Sequence, residues 1–173
     1  PFAELQDYLH NTASAEEINY IEVTDIEAAA LFIDDEDLDN FETPSLLGKI
    51  LKQSGKKVAL KLPKTVENLY SMHNCFYGCT ALVLLADIPE GVVDMSYCFN
   101  KCTSLVEAPA LPDSVTNMLS CFEDCKRLIQ APEIPSTVTN MRSCFENCIR
   151  LTEAPAIPSS VTDISYCFEN CTS

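Results

Sequence analysis

The hydrophobic and polar positions of this chain follow two regimes, and the change falls near residue 71. From there on apolar residues recur in fixed slots: Met72, Met95, Met118, Met141 and Ile164 each stand 23 residues after the last. A constant period in this range marks repeats that stack into a solenoid and bury a continuous core between neighbours. The unit reads M-x-x-C-F-x-x-C-x-x-L-x-x-A-P-x-[IL]-P-x-x-V-T-[ND], complete at 72–94, 95–117, 118–140 and 141–163, with a fifth covering 164–173.

Within a unit, Met and the two cysteines occupy relative positions 1, 4 and 8, the spacing of one face of a helical or 3-10 segment, with Phe beside them. The stretch L-x-x-A-P-x-[IL]-P is too short and too proline-rich for a helix and is predicted to be extended. Proline removes a ladder donor. The columns Pro109, Pro132, Pro155 and Pro89, Pro112, Pro135, Pro158 therefore confine pairing between units to the Leu-x-x-Ala step, with the second column at the strand exit. V-T-[ND] turns the chain back, its Thr or Asn/Asp capping the corner.

Residues 1–71 read as an N-terminal cap of helix, strand, helix and strand. Phe2, Leu5, Tyr8 and Leu9 share one face of a helix over 2–11, and 19–24 alternates as a β-branched strand. Thr43-Pro44-Ser45 starts a second helix whose stripe is Leu46, Leu47, Ile50 and Leu51 and whose stop is Gly55. The lysines Lys49, Lys52, Lys56 and Lys57 suit the negative end of its dipole. Lys57–Pro63 alternates as a strand, and Leu62-Pro63-x-x-Val66-x-Asn68 matches the tail of the unit, so this segment is read as a degenerate first repeat joined through three extra residues before Met72.

Charge narrows the partners. The formal net charge is −15, which argues against nucleic acid, because phosphate backbones are held by clustered Lys and Arg. No apolar run is long enough for a membrane span. The start at Pro1, with neither an initiator Met nor a charged and then apolar leader, reads as a processed or trimmed chain. The acidic run 34–42 sets Asp35, Asp37 and Asp39 at calcium-loop spacing, but Asn40 stands where that loop needs Gly and Leu46 where it needs Glu. A solvated acidic loop is the reading, a weak calcium site the alternative.

The ten cysteines form two columns, Cys75, Cys98, Cys121, Cys144, Cys167 and Cys79, Cys102, Cys125, Cys148, Cys171. Their C-x-x-x-C spacing is neither a zinc-ribbon nor a thioredoxin pattern, and His10 and His73 do not repeat with them. No metal or cofactor is expected, and buried, reduced thiols are the leading reading. Bridges between rungs, or a thiol or metal-active cysteine ladder, remain as alternatives. With Phe76, Phe99, Phe122, Phe145 and Phe168 the cysteines are assigned to the core.

The run C-F-x-x-C-T-S-L-x-x-A-P-x-L-P at Cys98 to Pro112 resembles the BspA-like, or treponemal-type, bacterial leucine-rich repeats. Here Cys replaces that family's usual Ala before Phe, and the strand segment carries one more residue and a Pro. A slot that takes Ala or Cys wants a small apolar group. The resemblance covers 72–173, and more loosely the lead segment. It implies an α/β class fold: a right-handed, curved solenoid with short parallel strands on its concave face. It also implies a bacterial surface or secreted protein acting in adhesion, and hence an extracellular or cell-surface location.

The leading functional expectation is a non-enzymatic binding scaffold for a protein or glycan ligand. Its reading surface would be the variable positions of the concave face: Leu84, Glu107, Gln130 and Glu153 before the first Pro column, and Asp87 and Glu133 between the columns, with Ala110 and Ala156 beside them. No Ser/His/Asp set, phosphate loop or spaced histidine cluster points to an enzyme. The competing expectation is a rigid spacer carrying other domains of a longer protein. The array's stop in mid-unit at Ser173 fits that reading and leaves an open C-terminal rung through which chains could self-associate.

Overall fold

The computed structural model describes residues 1–32 and 42–173, so the calcium-like aspartates Asp35, Asp37 and Asp39 lie outside the described residues. The chain opens with a 3-10 turn, Phe2–Glu4, that runs into helix α1, Leu5–Asn11. Strand β1 is Asn19–Glu22, helix α2 is Leu46–Ser54, strand β2 is Val58–Lys61 and strand β3 is Leu82–Leu85. The strands form one parallel sheet in the order β1-β2-β3. Both helices bury an apolar face, Leu5 and Leu9 on α1 and Leu47 and Leu51 on α2, and they pack on one another.

Helix α2 ends as its sequence dictates. Ser45 caps it by accepting the Gly48 N–H at 3.1 Å, and Gly55 closes it in the left-handed region at φ 64°. Ser45 also ties the helix to the array: its hydroxyl donates to the Cys75 carbonyl at 2.9 Å, and its N–H reaches the same oxygen at 3.2 Å. Gly48 lies so close that a Cβ there would overlap the Cys75 carbonyl oxygen.

Beyond β3 the chain winds in turns whose parallel bridges join residues one period apart, Leu84 with Glu107, Glu107 with Gln130, and Asp94 with Asn117, Asn140 and Asp163 in succession. Strands proper stop after the first turn. The proline columns explain why, since each Pro withholds the N–H that would extend the ladder.

The segment expected to be helical or 3-10 is a series of separate turns, each closed three residues back, and not a continuous helix of either kind. Over Met72–Cys79 the N–H groups of Cys75, Tyr77 and Cys79 close successive turns onto Met72, Asn74 and Phe76, while those of Met72, Asn74, Phe76 and Gly78 donate forward to Asp94, Ser96, Cys98 and Asn100 of the next turn. A helix would keep all seven within its own chain segment. The alternation requires a left-handed residue at the third and seventh positions: φ runs from 49° at Ser120 to 64° at Gly78, through Asn74, Tyr97, Lys101, Asp124 and their counterparts. Asn, Asp and Gly take that region easily, Tyr and Lys less so. From Asn74 to Asn147 each such backbone is held by its forward hydrogen bond.

The match of Val66 and Asn68 to the unit's tail is also corrected. Leu69 closes a turn on Val66 and is buried like Val92, Val115 and Val138, while Ser71 bridges Asp94. The pairing offset changes at this corner. Glu90 N–H reaches back 26 positions to Lys64, but Val93 N–H reaches back 23 to Tyr70. The three extra residues are thus absorbed before Leu69, not after Asn68.

The core is a set of stacked columns. Phe76, Phe99, Phe122, Phe145 and Phe168 stack with centroids 5.6, 5.2, 5.4 and 5.7 Å apart and planes within 14° of parallel. Such pairs contribute about 0.5–1.5 kcal/mol each beyond the area they bury. At the corners, Asn140 donates to Asn117 and Asn117 to Asp94, while each side-chain oxygen of Asp94, Asn117, Asn140 and Asp163 accepts the N–H two residues on. This is the cap that the recurrent Asn/Asp predicts.

Candidate functional site

The strand side presents the proposed reading positions. Glu107, Gln130, Glu153, Asp87 and Glu133 are exposed and Leu84 is half-buried. Leu84, Glu107 and Gln130 stand in one bridged column, and Asp87 bridges Ala110. That ladder does not continue: among the described residues no bridge joins Gln130 to Glu153 or Ala110 to Glu133. Between the third and fourth turns a groove of about 400 Å³ opens in its place, where Gln130, Glu133 and Glu153 meet an apolar lining that includes Ala131, Pro132 and Ile134. Reading along the columns named Gln130, Glu133 and Glu153 and missed this lining, whose signal was the pair Pro132 and Pro155 beside Ala131 and Ala154. The two turns still pair just before it, where the Thr152 N–H reaches the Ile129 carbonyl at 3.1 Å.

The ten cysteines are all free thiols, nine buried and Cys171 half-buried. In the second column the thiol has a definite partner: Cys102, Cys125, Cys148 and Cys171 donate to the carbonyls of Phe76, Phe99, Phe122 and Phe145 at 3.0–3.2 Å. Burial pushes Cys79 up to about 11 and Cys148 to about 12, and raises Cys98, Cys102, Cys121, Cys125 and Cys144 well above the ordinary thiol value. The nucleophilic and metal-binding form of cysteine is the thiolate, which this environment disfavours. Among the described residues no three or more His, Cys, Asp or Glu side chains are placed to hold a metal ion.

One constellation was not legible along the chain. His73 Nδ1 lies 2.7 Å from Ser96 Oγ, and Ser96 Oγ donates to Asp94 Oδ1 at 2.8 Å, so the fold gathers a His, a Ser and an Asp from adjacent turns. Its polarity is the reverse of a nucleophile and its base. The Ser96 proton points at Asp94, which leaves His73 to donate to the serine oxygen, whereas a catalytic histidine must accept that proton. Ser96 is also buried. Its period-spaced signal was present, since Ser96 follows His73 by 23 residues.

A second polar cluster joins the array to the segment before α2. Lys101 Nζ reaches Tyr77 Oη at 2.6 Å and Glu42 Oε1 at 3.0 Å, and lies 5.1 Å from the centre of the Tyr77 ring. The bond to Tyr77, then that to Glu42, holds the Lys101 ammonium above its ordinary range, and the bond from Lys101 holds Glu42 below its own. Burial raises the Tyr77 phenol. Lys101, Tyr77 and Glu42 each contact the other two, which makes the cluster a clasp between segments.

No helix of the described residues is long and apolar enough to cross a membrane. No curated protein and no solved structure matches the chain. A family model described as a BspA type leucine-rich repeat region does match, in six copies over residues 49–173, so that it begins within α2 and takes in every stacked column. With more than half its length matched, this chain belongs to the BspA-type leucine-rich repeat family.

Proposed function

We propose that this chain is a non-enzymatic binding scaffold, working at a bacterial surface or outside the cell, whose strand side reads a protein or glycan ligand. Family membership suggests a protein-interaction or adhesion scaffold. The finer reading is a right-handed solenoid of 23-residue turns at 72–94, 95–117, 118–140 and 141–163, with a further turn begun at 164, the strand side concave and residues 1–71 capping its first turn.

The observation that carries the reading is the contrast between columns. Core and corner slots repeat almost unchanged, whereas the exposed strand-side slot runs Leu84, Glu107, Gln130, Glu153 and the next runs Asp87, Ala110, Glu133, Ala156. Stacking constrains the first kind of slot; side chains of the second are exposed, or half-buried at Leu84, and free to vary.

The test is an array of extracellular-matrix proteins and glycans probed with the wild type and with the triple variant Glu107→Ala/Gln130→Ala/Glu153→Ala. The expected result is an interaction lost in the variant at an unchanged thermal midpoint. Wild-type protein that captures nothing, or a variant that captures equally well, removes the reading and leaves a rigid spacer in its place.

A further inference from the structure

The two sides of the wound chain differ in charge as well as in shape. Segments 82–90, 105–113, 128–136 and 151–159 contain the carboxylates Asp87, Glu90, Glu107, Asp113, Glu133 and Glu153 and no lysine or arginine. All five bases of residues 71–173 are on the turn side: Lys101, Lys126, Arg127, Arg142 and Arg150. Among the described residues the ion pairs are Lys61–Glu22, Lys101–Glu42 and Lys126–Asp124, so Glu107, Glu133 and Glu153 face solvent without a counter-charge.

Backbone groups there are free as well. In the first turn the Ile88 N–H reaches the Ala110 carbonyl at 3.4 Å, but the equivalent N–H groups of Leu111 and Ile134 have no partner among the described residues. The groove between the third and fourth turns therefore combines unpaired main chain, an apolar lining and two unpaired carboxylates at its rim. Unpaired N–H and C=O groups along an extended segment are what an added strand pairs with. No aromatic side chain occurs in the four strand-side segments, so a sugar ring would find no flat face to stack on.

We propose that this groove receives an extended polypeptide segment bearing lysine or arginine, its main chain against the free groups of residues 131–134 and its cationic heads at Glu133 and Glu153. The aliphatic stems of such side chains match the apolar lining, since Lys and Arg bury their stems while the charge stays at the rim. The inference rests on the strand side being the binding face and names the chemistry of its partner.

Fluorescence anisotropy with two labelled synthetic peptides, one alternating lysine and valine and one alternating glutamate and valine, tests it. The lysine peptide should bind with one-to-one stoichiometry and weaken as salt is added, while the glutamate peptide stays free. Glu133→Gln/Glu153→Gln should weaken the lysine peptide by about tenfold or more. Glu16→Gln/Glu17→Gln, which removes the same charge from an exposed loop before β1, should leave it unchanged.

Equal weakening by both pairs would assign the binding to the general field of a chain with net charge −15 and overturn the proposal, as would the absence of binding. Should the peptide fail while the triple variant still loses its array ligand, the strand side stands as the binding face and the cationic occupant falls. Failure of both experiments removes both readings.

Discussion

From the second unit onward the cysteine at the eighth position fills a core slot and at the same time supplies a donor, because its thiol bonds the Phe carbonyl of the turn before. That carbonyl already accepts a main-chain N–H, as Phe99 does from Cys102, so the thiol adds a second bond at a buried acceptor. Protonation is thus part of the packing. An unfolded chain ionises its thiols near pH ~8.5, whereas burial holds Cys79 protonated to about 11 and Cys148 to about 12. The folded state binds more protons than the unfolded state between these limits, so stability is complete below the unfolded value and declines as pH rises towards the folded one. Each such thiol contributes up to about 1.4 kcal/mol per pH unit of that decline. Thermal midpoints measured from pH 7 to pH ~10.5 should fall steeply from near pH ~9; a flat profile would contradict the assignment. In the native state at mild pH, alkylation should reach the half-buried Cys171 first and the other nine thiols only on unfolding.

At the scale of elements, the junction of α2 with the first turn leaves no room for a side chain at Gly48. Glycine in a helix interior ordinarily gives way to alanine with a gain of about 1 kcal/mol. At Gly48 the added methyl would meet the Cys75 carbonyl oxygen and lie 2.8 Å from the Pro44 Cβ. Gly48→Ala should therefore destabilise by about 1–3 kcal/mol, and Ser45→Ala, which removes the cap and the hydroxyl bond to Cys75, by about 1–2 kcal/mol. Urea unfolding of the two variants measures both, and a stabilised Gly48→Ala would show that the helix is free to move off the array. Elements of this kind were legible: Ser45 and Gly55 announce α2, and the alternation around Tyr20 and Ala59 announces β1 and β2. The turn side was not, because positions 1, 4 and 8 are inward both in a helix and in a run of turns closed three residues back. Asn74, Gly78 and Asn147 hint at left-handed backbone, but Tyr97 and Lys101 in the same columns conceal it. The groove at Glu133 and Glu153 was half legible for a related reason. Its rim is a property of single residues, whereas its opening depends on how two turns part beyond the bond from Thr152 to Ile129.

For the whole molecule, stability is a chain of neighbour contacts, and damage should stay local. Phe145 is fully buried between Phe122 and Phe168, so Phe145→Ala should cost about 3–5 kcal/mol in the turns it touches. Hydrogen exchange read by mass spectrometry should show lost protection over the third turn and beyond, with β1, β2 and α2 protected as in the wild type. Uniform loss of protection would instead mark the chain as one cooperative unit.

The direction of the hydrogen bonds has a consequence for how such a chain can change length. On the turn side each of the four complete units hands N–H groups forward, and just after its Leu each unit from the second to the fourth receives a carbonyl from behind, as Val106 does from Val83, Ile129 from Val106 and Thr152 from Ile129. One face of any unit is therefore the complement of the opposite face of every other unit, like identical bricks with studs above and sockets below. A duplicated or deleted segment of one period leaves the turn-side seam with the same main-chain hydrogen-bond pattern as the seams on either side. Variation in copy number thus requires no compensating mutation at the join, while any insertion of another length must be taken up at a corner such as Lys64–Tyr70, where the phase already shifts.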